Sequence, residues 1–141
     1  MYVAAQRVGP DAFDFGTGEV DGNLVVLAFG ADGTTLWTRS IGYDDPDAQG
    51  WPLAKLQCAP GGDLLLYGVT AVDLDLDGVH IDGGVETSSN GFVIRLDGDG
   101  NALSGGLLPI YSYAVAMAPG GAIVAAGGDA ENTVLMKLDA N

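Results

Sequence analysis

Three aspartates, Asp73, Asp75 and Asp77, alternate with Val72, Leu74 and Leu76 and run into Gly78. Oxygen side chains at that spacing open the calcium loop of a helix–loop–helix hand, where alternate positions point inward at the ion. That loop must close on a bidentate glutamate, and Gly84 stands at the closing position. Calcium on Asp73, Asp75 and Asp77 is therefore expected only in a site of another build. The same alternation is equally what a strand with one wet face produces. Asp97-Gly98-Asp99-Gly100-Asn101 also sets oxygens between small residues, but Asp-Gly favours a hairpin turn, and a turn is expected there.

Nucleophilic chemistry finds little support. His80 is the only histidine and lies between Val79 and Ile81. A serine mechanism needs it beside Ser40, Ser88, Ser89, Ser104 or Ser112, none of which sits in a G-x-S-x-G elbow. With Asp77 or Asp82 it would make a metal pair of no recognised spacing. The glycine-rich phosphate loop fails at Leu103, where G-x-G-x-x-G needs glycine. No catalytic residue and no cofactor other than calcium is expected. Cys58 is the single cysteine, so no internal disulfide forms, and its strand context predicts a small buried hydrophobe.

The 141 residues carry 19 acids against 5 bases, a net charge of −14. Such a surface repels phosphate backbones, so nucleic acid is not an expected partner. From Asn101 to Gly128 no residue is charged, a length that could span a bilayer. Pro119-Gly120-Gly121 interrupts it, aligning with Pro60-Gly61-Gly62 and the acid Asp63, so strands joined by a turn are expected rather than a membrane helix. No secretory leader opens the chain. Met1 to Ala5 reads as the interior of a strand, so a segment of a longer, secreted or cell-surface parent is one expectation.

The elements that must position these residues are short strands in repeat. Gly100 minus Gly33 is 67, and the match holds through Asn90/Asn23, Glu86/Glu19 and Gly83/Gly16. Pro119 minus Pro60 is 59, holding from Trp51/Ile110 to Gly68/Gly127. The difference of 8 falls on the loop-like Gly42 to Gln49. Four strands per unit follow. Strand a is Leu53 to Ala59 and Tyr111 to Ala118; strand b is Tyr2 to Val8, Leu64 to Thr70 and Ala122 to Ala126. Strand c is Leu24 to Phe29, Phe92 to Leu96 and Val134 to Leu138; strand d is Thr35 to Ser40 and Ala102 to Leu107. Apolar runs bounded by Gly, Pro and Asp support strands, and no stretch keeps a helical period. The b strands are apolar almost throughout, which requires cover on both faces. The expected fold is all-β, with propeller-like four-stranded antiparallel blades in an incomplete ring; a β-sandwich is the alternative. The single domain divides into a partial blade 1–40, a full blade 51–107 and a partial blade 110–141.

These residues resemble a bacterial seven-bladed β-propeller repeat family, SBBP. Its Phe-Val-Ala-Lys-Leu-Asp strand is similar to Phe92 to Gly100 and Val134 to Asp139, and its Leu-Trp-x-Lys-x strand to Leu36-Trp37-Thr38-Arg39-Ser40. Its small-residue strand, tight turn and apolar strand ending in Gly resemble Ala54 to Gly68 and Tyr113 to Gly127, and its linker Asp-Phe-Gly resembles Asp14-Phe15-Gly16. Ala28 and Phe29 depart from the pattern, as does Gln6. The resemblance implies a fold and brings no catalytic residue with it.

Ten strands leave each end of the array short of a strand, and about four blades are needed to close a propeller. The expected partners are a second copy, in a closed homodimer, or the remainder of a larger propeller. The long links b–c and d–a carry 14 of the 19 acids, counted from Asp11 to Glu131 and including Asp14, Glu19, Asp73, Asp75, Asp77 and Asp82. In a meander these links lie opposite the a–b and c–d turns, giving an acidic loop face for a protein or carbohydrate ligand. A non-catalytic scaffold or binding module is the expected function, and a calcium-dependent carbohydrate- or cation-binding protein, or an enzyme using these acidic loops, is the alternative. Leu56, Leu65, Val93, Val115, Val124 and Leu135 are expected to be buried.

Overall fold

The computed structural model describes residues 1–6, 13–20, 22, 24–41, 53–59, 61–71, 73–83, 90–108, 111–128 and 132–138. Every regular element in it is a strand. They are β1 (Tyr2–Gln6), β2 (Phe13–Asp14), β3 (Glu19–Val20), β4 (Leu24–Phe29), β5 (Thr35–Ile41), β6 (Leu53–Cys58) and β7 (Leu64–Thr70), followed by β8 (Leu74–Leu76), β9 (Val79–Ile81), β10 (Asn90–Leu96), β11 (Ala102–Leu108), β12 (Tyr111–Met117), β13 (Ile123–Gly128) and β14 (Thr133–Leu138). A three-stranded sheet β1-β4-β5, a four-stranded sheet β11-β10-β7-β6 and a three-stranded sheet β12-β13-β14 follow one another, and no sheet closes into a barrel. All pairings are antiparallel. The uncharged stretch supplies β11, β12 and β13, and no helix among the described residues is long and apolar enough to cross a membrane. The loop expected at Gly42 to Gln49 lies outside the described residues.

The turns repeat atom for atom. In the hairpin β6–β7, Ala59 N donates to Asp63 O at 2.7 Å and Gly62 N to Ala59 O at 3.3 Å. Fifty-nine residues on, between β12 and β13, Ala118 N donates to Ala122 O at 2.8 Å and Gly121 N to Ala118 O at 3.0 Å. The turns β4–β5 and β10–β11 match in the same way: Gly30 N to Thr34 O is 2.8 Å, and Asp97 N to Asn101 O is 3.0 Å. Each is preceded by a β-bulge, at Ala28/Phe29 and at Arg95/Leu96. An extra residue at the same place bends both outer strands alike.

Strand alternation decides what faces what. Leu64, Leu66, Phe92, Ile94 and Leu96 of the middle sheet meet Leu24 and Val26 of the first. Leu65, Tyr67 and Val93, on the other side, meet Val115, Met117 and Ala125 of the third. The middle sheet is thus apolar on both faces, which is why Leu64 to Tyr67 is buried without a break.

Two expected burials fail on the third sheet, and both have the same cause. Leu135 is 75% exposed, whereas Val93 and Val26 at the matching strand positions are 5% and 0% exposed. Each strand side that holds Val26 or Val93 is covered by the following sheet; Leu135 faces the side of the third sheet on which no described element packs. Val124, on that side too, is half-buried; Leu56 is half-buried on the edge strand β6. Cys58 is exposed, not buried, at the turn end of that edge strand.

Two short hairpins were not anticipated. β2–β3 covers the outer face of the first sheet, where Val20 packs with Val25 and Leu27. β8–β9 lies between the first and middle sheets, with Leu74, Leu76 and Ile81 buried in their shared core.

Leu65→Ala should cost about 2–5 kcal/mol in chemical denaturation, as a fully buried leucine does. Leu135→Ala should leave stability of the isolated chain nearly unchanged. Equal costs at the two positions would contradict the assignment of faces.

Candidate functional site

The aspartates that suggested calcium form the outer face of the β8–β9 hairpin. Asp77 and Gly78 make its two-residue turn, with φ of 50° and 83°. Two left-handed residues in succession define the type I′ turn, for which Asp-Gly is a preferred pair. Leu76 pairs with Val79, Asp75 with His80 and Leu74 with Ile81. The apolar members of these pairs enter the core, which leaves Asp75 and His80 side by side in solvent.

The three carboxylates have separate partners. Asp73 Oδ1 accepts from the amide of Gly83 at 2.8 Å, and Asp77 Oδ2 accepts from the amide of Ala102 at 3.0 Å. Asp75 Oδ1 lies 2.8 Å from His80 Nδ1, with 59% and 57% of the two side chains exposed. Among the described residues no three of His, Cys, Asp and Glu gather into a metal-holding group. The strand with a wet face, not the calcium loop, is the geometry adopted at Asp73, Asp75 and Asp77. Alternation sends all three outward, but spreads them along the hairpin toward different partners.

His80 is paired with Asp75 rather than with Asp77 or Asp82. The hydrogen bond that the ring donates to Asp75, the charge of Asp75, and the charges of Asp73 and Asp82 raise the imidazole above its ordinary 6.5. Of the serines considered as its partners, Ser40 instead accepts from the Gly22 amide through Oγ at 2.7 Å. Ser88 and Ser89 lie outside the described residues, and Ser112 is described in its backbone alone.

The Asp97–Asn101 segment is the expected turn. Asp97 Oδ1 accepts from the amides of Asp99 and Asn101 at 2.9 and 2.8 Å, and Oδ2 accepts from Asn101 Nδ2 at 2.8 Å. These bonds, led by the Asn101 side chain and helped by Arg39, hold the carboxyl below its usual 3.8. Asp14 serves its own turn likewise, accepting from Gly16 and Gly18 at 2.7 and 3.1 Å.

Trp37 and Arg39 bind this turn from the neighbouring sheet, a role the sequence did not reveal. Trp37 Nε1 donates to Gly98 O at 3.0 Å; Arg39 donates to Gly100 O at 3.1 Å and to Asp99 O and Asn101 Oδ1 at 3.0 Å. The guanidinium also lies 5.8 Å from the Trp37 ring centre. A Cβ on Gly100 would stand 2.7 Å from Trp37 Cζ3, on a backbone with φ of +81°. Only glycine lets the indole lie flush on the turn.

The acidic links are also displaced from where the meander puts them. The β8–β9 hairpin runs back along β11, so Asp77 reaches Ala102 beside the Asp97–Asn101 turn. Thr35 Oγ1 donates to Phe15 O at 2.6 Å and the hydroxyls of Thr17 and Thr38 lie 2.6 Å apart, which lays β2–β3 along β5 in the same manner. Part of the acid expected on the link face is thereby carried to the turn end.

No protein-family model matches the chain, and no curated protein matches it.

The His80 ring should titrate by NMR with a midpoint above 6.5 and move down in Asp75→Asn. Any stability from this pair is full below the unfolded value and disappears as pH rises through the folded one. An unshifted midpoint would separate His80 from Asp75. Gly100→Ala should destabilise by about 1–3 kcal/mol through backbone strain and contact with the indole; loss of Trp37 first, in a double-mutant cycle, should reduce that cost.

Proposed function

We propose that the chain is a non-catalytic scaffold or binding module of propeller type, a repeat array of blade-like sheets that is either a fragment of a larger propeller or a ring-forming subunit. The observation that carries this reading is the shared face rule. At both sheet–sheet interfaces the side bearing Val26 or Val93 meets the side bearing Phe92 or Val134; the β4–β5 and β10–β11 hairpins keep one register 67 residues apart, and β6–β7 and β12–β13 keep one register 59 residues apart beside their turns, up to the shift between Ser112 and Ala114. The SBBP-like motifs fall on corresponding strands of these sheets.

A scaffold also accounts for the polar groups. Asp73 closes the base of the β8–β9 hairpin and Asp77 ties its turn to β11, Asp14, Asp32 and Asp97 close turns, and Arg95 is held by Asp63, with Nε 2.7 Å from Oδ2. Loops on such a rigid support are where a protein or carbohydrate ligand would bind.

Thermal melts with chelator and with millimolar calcium test the reading. The expected outcome is the same midpoint in both. A rise with calcium that is lost in Asp75→Asn would instead support a calcium-dependent binding protein built on the acidic hairpin, because ligand binding to the native state raises its stability.

A further inference from the structure

The third sheet has one covered face and one bare face. Val134, Met136 and Leu138 pack on the middle sheet, while Thr133, Leu135 and Lys137 stand exposed on the other side. By strand position the bare side corresponds to Val26 in the first sheet and Val93 in the middle one, each covered by the sheet that follows.

The outer face of the first sheet is built like the face that the middle sheet offers to the first. Val25 and Leu27 correspond there to Phe92 and Ile94, and the β2–β3 hairpin lies along β5 as β8–β9 lies along β11. Ala5, Phe15 and Phe29 remain half-buried on it. The stack therefore begins and ends on surfaces of complementary kind.

We propose that the bare face of the third sheet, centred on Leu135, docks on the outer face of the first sheet of a second copy, so that two copies close into a ring. This rests on the propeller reading above. The contact would continue the interface already made twice inside the chain. Three sheets from each of two copies give six, within the roughly four to eight blades that close a propeller. Docking of third sheet on third sheet would join two sides of one kind, which neither internal interface does.

Sedimentation of the full chain, with Cys58→Ser for the cross-linking arm, tests the proposal. The chain should sediment as a dimer, more tightly at raised salt as the like charge of the copies is screened. Leu135→Glu should weaken association about tenfold or more by burying a carboxylate, with an unchanged far-ultraviolet spectrum. With a short bismaleimide, Leu135→Cys and Val3→Cys chains should cross-link when mixed and neither should do so alone. Cross-linking of Leu135→Cys to itself, a Leu135→Glu dimer of undiminished affinity, or a wild-type monomer at high salt would each overturn head-to-tail docking. Hydrogen exchange on the same samples distinguishes the two readings. A monomer with Leu64 to Tyr67 protected loses the docking and keeps the stacked scaffold; a monomer without that protection loses both.

Discussion

The central strand pair β7 and β10 of the middle sheet buries apolar residues on both of its faces, and this constraint governs the molecule. Strands normally solvate every second residue, but β7 buries Leu64, Leu65, Leu66 and Tyr67 in succession, and β10 buries Phe92, Val93 and Ile94. A sheet of this kind is stable only as the inner layer of a stack. The flanking sheets supply that cover, and each is then left with an outward face of its own to resolve. The first sheet covers part of it with the β2–β3 hairpin and leaves Ala5, Phe15 and Phe29 half-buried. The third has no counterpart among the described residues.

Hydrophobic cover alone would let sheets slide, since burial has no direction. Register between the first and middle sheets is fixed by Trp37 and Arg39, whose donors meet three consecutive carbonyls, of Gly98, Asp99 and Gly100, and the side-chain oxygen of Asn101. The turn must be rigid for this to work. Asp97 makes it so by accepting two amides and an amide side chain. At the positions matching Trp37 and Arg39, strand β11 carries Ser104 and Gly106. The second interface thus has no counterpart of that indole–guanidinium pair on its strand β11.

The main strands were legible because their signals are local: an apolar run, then Gly, Pro or Asp at a fixed register. Their order within sheets followed from short antiparallel connections. The acidic hairpin was left between two readings because two patterns share one spelling. Asp73-x-Asp75-x-Asp77-Gly78 matches a calcium loop if the segment is irregular, and a strand with a type I′ turn if it is extended. Val79 and Ile81, continuing the alternation beyond Asp77-Gly78, carry the hairpin signal. Leu135 was misjudged for a different reason. Its strand and face were both recoverable, but burial depends on whether another sheet follows, and that information is not in the strand itself. Trp37 and Arg39 belong to the same class, since their partners lie about 60 residues away in another sheet.

The abundance of acid takes another meaning in this light. A net charge of −14 suggests a binding surface when it is read as a sum. Read atom by atom, many of the described carboxylates are acceptors for nearby amides, a task at which aspartate excels because its short side chain reaches the backbone two residues on. Residues that serve as turn-makers still contribute their full charge to the surface. The repulsion between copies is then a by-product of how the turns are built, and it acts against the same apolar faces that require cover. Charge of this origin keeps unpaired strand edges of different molecules apart, which favours a contact only where large complementary faces meet.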